Sequence, residues 1–127
     1  QWDETASNLQ GKMAEYAKGA LVGKDGRALF VNFVTDVSPA CDCYGHNDAP
    51  IVPDIGILAS ADPVAIDQAS ADLVNAEEGI RDSELKAGHE RGGDKFRGVH
   101  PAVDWTVQLS VGQKAGLGSR SYKMEKL

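Results

Sequence analysis

Two cysteines two residues apart, with a histidine and an aspartate close behind, are the residues of this 127-residue chain best suited to chemistry. They lie in Asp36-Val-Ser-Pro-Ala-Cys-Asp-Cys-Tyr-Gly-His-Asn-Asp48, which holds the chain's only cysteines, Cys41 and Cys43, one of its three histidines and three aspartates. In extended backbone, residues two apart project to the same side, so the two thiols can act as one unit. Paired thiolates suit a soft or borderline metal such as zinc, or an iron–sulfur cluster. His46 and Asp48, or Asp42, could add nitrogen or oxygen ligands. A closed structural zinc site wants four ligands, commonly from two separated Cys/His pairs. No second pair is present, and His89 and His100 are the only distant imidazoles. The alternative is that Cys41 and Cys43 are small packing residues and the aspartates cap turns. A disulfide between them would be strained at this spacing.

Elements on either side must hold this loop. Before it runs Ala28-Leu-Phe-Val-Asn-Phe-Val34, a β-prone strand with apolar groups on both faces. After it come an extended return through Pro50 and Pro53 and a short strand over 55–59. Then Asp62-Pro63 marks a helix start, with Asp62 as N-cap and Pro63 in the first helical position, running to about Glu77. Two further helices are expected. One spans 5–22, with Leu9, Met13, Tyr16, Ala17, Ala20 and Leu21 as its buried stripe. The other spans about 104–115, with Asp104 as N-cap. Residues 122–127 alternate like an edge strand. Residues 80–100 are rich in charge and glycine and read as a long polar, flexible loop. The fold class is therefore α/β, a single domain over residues 1–127 with about three strands and three helices. The strands at 28–34 and 55–59 should be neighbours, with loop 35–50 at one end of the sheet.

Other chemistries find less support. Asp54, Asp62 and Asp67 could suggest paired carboxylates, but Asp62 is explained as a cap and Asp67 by the helix dipole. His89 and His100 read as solvated. No nucleophile elbow, Cys/His pair with an orienting group, or His-Glu-x-x-His motif occurs, so a hydrolase has no support and no reaction is assigned. A net charge of −6 with scattered lysines and arginines excludes a nucleic-acid footprint. No apolar run reaches the roughly 18 residues of a membrane span. The Cys-x-Cys arrangement, outside any spaced disulfide framework, fits a cytoplasmic location. Starting on Gln1 with no initiator Met or signal peptide, the chain reads as a processed or excised piece of something longer.

Several runs carry a family resemblance. Cys41-Asp42-Cys43, Asn47-Asp48-Ala-Pro-Ile-Val-Pro-Asp-Ile-Gly-Ile-Leu-Ala-Ser60 and Asp62-Pro-Val-Ala-Ile-Asp67 resemble the C-terminal part of the iron–sulfur centre proteins known as domain of unknown function 362. Phe96-Arg97, Pro101-x-x-Asp104-Trp105 and Gly116-Leu-Gly-Ser-Arg120 fit the same pattern. The resemblance implies a longer α/β body with a ferredoxin-like, cysteine-rich insert. Two cysteines cannot build a ferredoxin-type cluster alone, so it also implies a fragment. Its partners would be the missing remainder of a parent protein or a second copy, with a ferredoxin-like electron-transfer domain nearby. What the resemblance and the loop together imply is a metal- or iron–sulfur-associated redox module. Its ligands would be Cys41 and Cys43, with His46 or Asp48 as auxiliaries. The rival is a non-catalytic structural or interaction domain docking onto the rest of its parent.

Overall fold

The Asp62-Pro63 helix start and the two core strands form where the sequence places them, whereas the last helix is entered at Trp105 and not capped by Asp104. In the computed structural model, which describes residues 2–41 and 43–127 and side chains from residue 6 onward, the elements follow in order. They are α1 (Trp2–Leu21), β1 (Phe30–Val34), β2 (Gly56–Ser60), α2 (Pro63–Ala76), α3 (Lys95–Val99) and α4 (Thr106–Lys114). The two strands pair antiparallel, with Phe30 opposite Ser60 and Val34 opposite Gly56. The fold is thus mixed α/β, as expected. The expected third strand is not formed: among the described residues the sheet has two strands, and 121–127 form no regular structure. Alternation in 122–127 supplies a pattern, but a strand also needs a neighbour to satisfy its backbone.

The layers run from the sheet to α2, from α2 to α4, and from α4 to α1. α2 covers one sheet face, and Val34, Ile51, Val52, Val74 and Leu85 form a buried cluster with Val37, Ile55, Leu58, Phe96 and Val99 packed against it. The opposite face is bare: Val31, Phe33 and Ile57 are exposed, with Leu29 beside them. α1 corrects a second expectation. Leu9, Met13 and Tyr16 are exposed, Tyr16 at 81%. The helix rests on α4 through its other side, where Ala14 is buried, Gln10 Nε2 donates to the Asp104 carbonyl and Lys18 Nζ to the Gly116 carbonyl. An apolar stripe finds its target only if a sheet or helix is there to meet it, and here the stripe faces away from the rest of the chain.

Residues 80–100 are more built than their composition suggests. They contain α3 and bury Leu85 and Lys95. The Lys95 ammonium donates to the carbonyls of Asn75 and Glu90, at 2.9 and 2.6 Å. It thereby satisfies an acceptor in the last turn of α2, where cations are favoured. Desolvation pushes its pKa below the ordinary lysine value, with Glu90 opposing.

Asp62 does more than cap. Its Oδ1 accepts from the backbone of Val64 and Ala65, and its Oδ2 accepts from Ser119 N–H at 2.9 Å. Gly118 makes this approach possible, since a Cβ there would run into the carboxylate. One carboxylate therefore starts α2 and fastens the segment after α4. Asp62→Ala should cost about 2 kcal/mol, a lost cap plus an orphaned N–H, while Asp62→Asn, which keeps the cap acceptor, should lose less. Urea unfolding of both variants checks this order.

Beyond Ser119, Arg120 is tied to the body through Gln113, Gln68 and Ser110, and the residues after it make fewer contacts. The Tyr122 hydroxyl donates to Asp72 Oδ2 at 2.8 Å. Desolvation first, then this hydrogen bond and the Asp72 charge, push the Tyr122 pKa up to about 12. The neutral phenol is the form the fold favours, so its contribution to stability is intact below pH about 10 and lost as pH rises towards 12. In an ultraviolet titration one of the three tyrosines should ionise near 12, and Asp72→Asn should bring it back towards the ordinary value.

Candidate functional site

The loop between β1 and β2 is set at both ends. β1 ends at Val34, and two residues on Asp36 has a φ of 50°, in the left-handed region that aspartate tolerates better than most residues. Its N–H donates to Asp54 Oδ1 at 2.8 Å, so Asp54 braces the turn. Ile51 N–H donates to the Val37 carbonyl, drawing the loop's far end back onto its start. Inside, Asn47 Nδ2 donates to Ser38 Oγ, which itself donates to the Ala40 carbonyl. Tyr44 N–H donates to the Cys41 carbonyl. This hydrogen bond draws Tyr44 back onto Cys41.

This turn brings the thiols together. Cys43 Sγ and Cys41 Sγ lie 2.8 Å apart, and both residues are exposed. Their neighbours are less committed. His46 is exposed, its ring edge-on to Tyr44 at 6.3 Å between centroids. Asp48 Oδ1 accepts from the next N–H, that of Ala49, at 2.7 Å. Among the described residues no group of three or more His, Cys, Asp or Glu side chains stands ready to hold a metal ion. Asp42, a candidate oxygen ligand, lies outside the described residues.

Geometry shows what two thiolates on one tetrahedral zinc would need. With Zn–S bonds of about 2.3 Å, the sulfurs stand about 3.8 Å apart. Here they must separate by roughly 1 Å, a small adjustment for an exposed turn. The pair is therefore close to the spacing of two thiolates on one tetrahedral metal.

Sequence reasoning missed two features. His100, which reads as solvated, has its Nε2 2.9 Å from the Pro39 carbonyl, so an imidazole 61 residues away is tied to the base of the thiol loop. No local signal announces that contact. The second feature is a groove of about 630 Å³ that starts beside the loop at Asp36–Ser38 and runs along β1 towards α1, α2 and α4. Its apolar wall includes Val74, Phe96, Trp105 and Leu109. Trp105 is held by Nε1–H donation to the Asp94 carboxylate and lies 5.1 Å from Phe96, ring to ring. Its polar strip is Asn32, Asp67 and Ser70, with Asn32 Nδ2 donating to Asp67 Oδ1 at 2.9 Å and Ser70 Oγ at 3.0 Å. Between the lining residues Val103 and Trp105, Asp104 accepts from the Thr106 hydroxyl and N–H and pairs with Arg97 at 2.9 Å. The two Thr106 bonds are the main cause that holds its carboxyl below the usual range, although burial opposes them.

Fold and loop together define a mixed α/β protein presenting an exposed two-thiol turn at the end of its sheet. The sequence model of the family described as Domain of unknown function (DUF362) matches residues 1–72, more than half of the chain, and the chain belongs to that family. The match takes in α1, the sheet, the thiol loop and the first turns of α2, while Phe96-Arg97 and the later runs lie beyond it. No curated protein and no solved structure matches the chain. Among the described residues no helix is long and apolar enough to cross a membrane.

The thiol geometry can be checked without any metal. Phenylarsine oxide, which bridges two adjacent thiols through arsenic, should bind once per reduced chain, and Cys41→Ser or Cys43→Ser should each abolish the stable adduct. Retention of the adduct in either single variant would show that the sulfurs do not act as a pair.

Proposed function

We propose that the chain is the two-thiolate part of a metal- or iron–sulfur-associated redox module. Cys41 and Cys43 are its soft ligands, His46 or Asp48 are auxiliaries, and the other donors come from a further polypeptide. The observation that carries this reading is the turn that sets two exposed sulfurs 2.8 Å apart in a loop braced at both ends. Zinc takes such a pair as two of four ligands, and an iron of a cluster takes it as two terminal thiolates. When bound, an iron–sulfur group would supply one-electron chemistry, for which a ferredoxin-like domain is the natural exchange partner. An exposed, reduced thiol pair suits the cytoplasm.

In anaerobically purified protein, Cys41→Ser and Cys43→Ser should lower bound metal to the same low level, and the double variant should be little worse. His46→Ala should do less, because solvent or Asp48 can occupy a vacated position. Wild-type protein carrying no metal, with thiols that react independently, would remove the proposal.

A second reading has its own observation. The bare sheet face of Leu29, Val31, Phe33 and Ile57 favours an interaction domain that docks onto the remainder of a parent protein. An apolar dye should bind the isolated chain and lose most of its signal in a Phe33→Ser, Ile57→Ser double variant. Unchanged dye binding would show that this face is not the apolar docking surface.

A further inference from the structure

We infer that the groove along the open edge of β1 is a strand-addition site, and that it accepts residues 121–127 of a second copy of this chain. The inference rests on the docking reading above and is independent of the thiol pair. The groove is lined along one side by β1 residues 31–34 and by the turn 35–38 beyond them, and by no residue of β2. It therefore lies on the side of β1 away from its partner strand. There, among the described residues, the two-stranded sheet has no further neighbour. Alternate residues of an edge strand present unpaired N–H and C=O groups, a template for another strand. The facing wall is a shelf of α2, α3 and α4 side chains, so an added strand would gain main-chain bonds on one side and side-chain burial on the other.

The tail has the complementary pattern. In extended backbone Tyr122, Met124 and Lys126 share one face, and Lys123 and Glu125 share the other. The first face offers two large apolar groups and a cation, and the second is fully polar up to Leu127. The groove asks for that first face. Val74, Phe96, Trp105 and Leu109 provide apolar wall, while Asp36 and Asp67 bring two carboxylates and no lysine, arginine or histidine lines it. No ion pair among the described residues reaches either carboxylate.

The tail has no regular structure and Met124 and Leu127 are exposed, so joining a second copy gives up the Tyr122–Asp72 hydrogen bond. Its own groove lies on the wrong side of α2. Asp72, which holds Tyr122, is five residues on from Asp67 and so about 140° round the helix from the groove. A second copy meets no such obstacle. Two chains exchanging tails fill both grooves and close a two-fold dimer.

Sedimentation velocity of the full chain across the micromolar range tests this. The expected result is a monomer–dimer equilibrium that disappears when 121–127 are deleted. Because opposite faces of the tail are involved, Lys126→Glu should weaken the dimer about tenfold and Lys123→Glu by less than about twofold. Both substitutions lie in the exposed tail and leave the folded body untouched. A monomer at every concentration overturns the inference, as does equal damage from the two lysine variants. A dimer that survives the deletion overturns it too, and assigns the contact to the Phe33 and Ile57 face with the docking reading intact.

Discussion

A sheet of two strands leaves two edges and one face for something else to cover, and the rest of this structure follows from that constraint. A two-stranded hairpin is marginal on its own in water. Here α2 supplies the missing support by packing on one face, and a buried cluster forms where β1, the returning loop and α2 converge around Val34, Val52 and Val74. The positioning of α2 is accordingly the critical step, and a single carboxylate governs it. Asp62 fixes the first turn of α2 and clasps Ser119, so the helix that supports the sheet is also the helix onto which the chain beyond α4 is fastened.

The same constraint explains which parts of the fold were legible in the sequence. Asp62-Pro63 and the Val/Phe-rich run 28–34 are local signals, and both produced the elements they announce within one or two residues. α1 was legible as a helix but not in its orientation. The Leu9, Met13 and Tyr16 stripe identifies a helix that wants a partner without naming it, and in this chain α4 takes the Ala14 side instead. The alternation over 122–127 was likewise legible as pattern only, since pairing is a property of two segments. Lys95 could not be foreseen as a buried residue in a stretch otherwise full of charges. Its burial rests on two carbonyl acceptors, Asn75 and Glu90, and the first lies 20 residues away in sequence.

For the candidate site the outcome is mixed in an instructive way. Spacing alone placed Cys41 and Cys43 on one side of an extended chain. The structure brings the sulfurs together by a tighter route, a turn closed by Tyr44 N–H on the Cys41 carbonyl. Asp54, a tempting carboxylate in the sequence, turns out to hold the strand end that aims the loop. His100 was out of reach of any sequence argument, because its link to Pro39 depends on where α3 ends relative to the loop. The groove was invisible for the same reason: its walls come from segments dispersed between Gln10 and Leu109.

We propose that Cys41 and Cys43 jointly furnish the sulfur donors of a metal centre, and the coordination shell itself bears the clearest mark of such donors. X-ray absorption at the metal edge of anaerobic protein should show sulfur neighbours at about 2.3 Å, lost together when both cysteines are replaced by serine. A shell of nitrogen and oxygen alone, unchanged in the double variant, would contradict it.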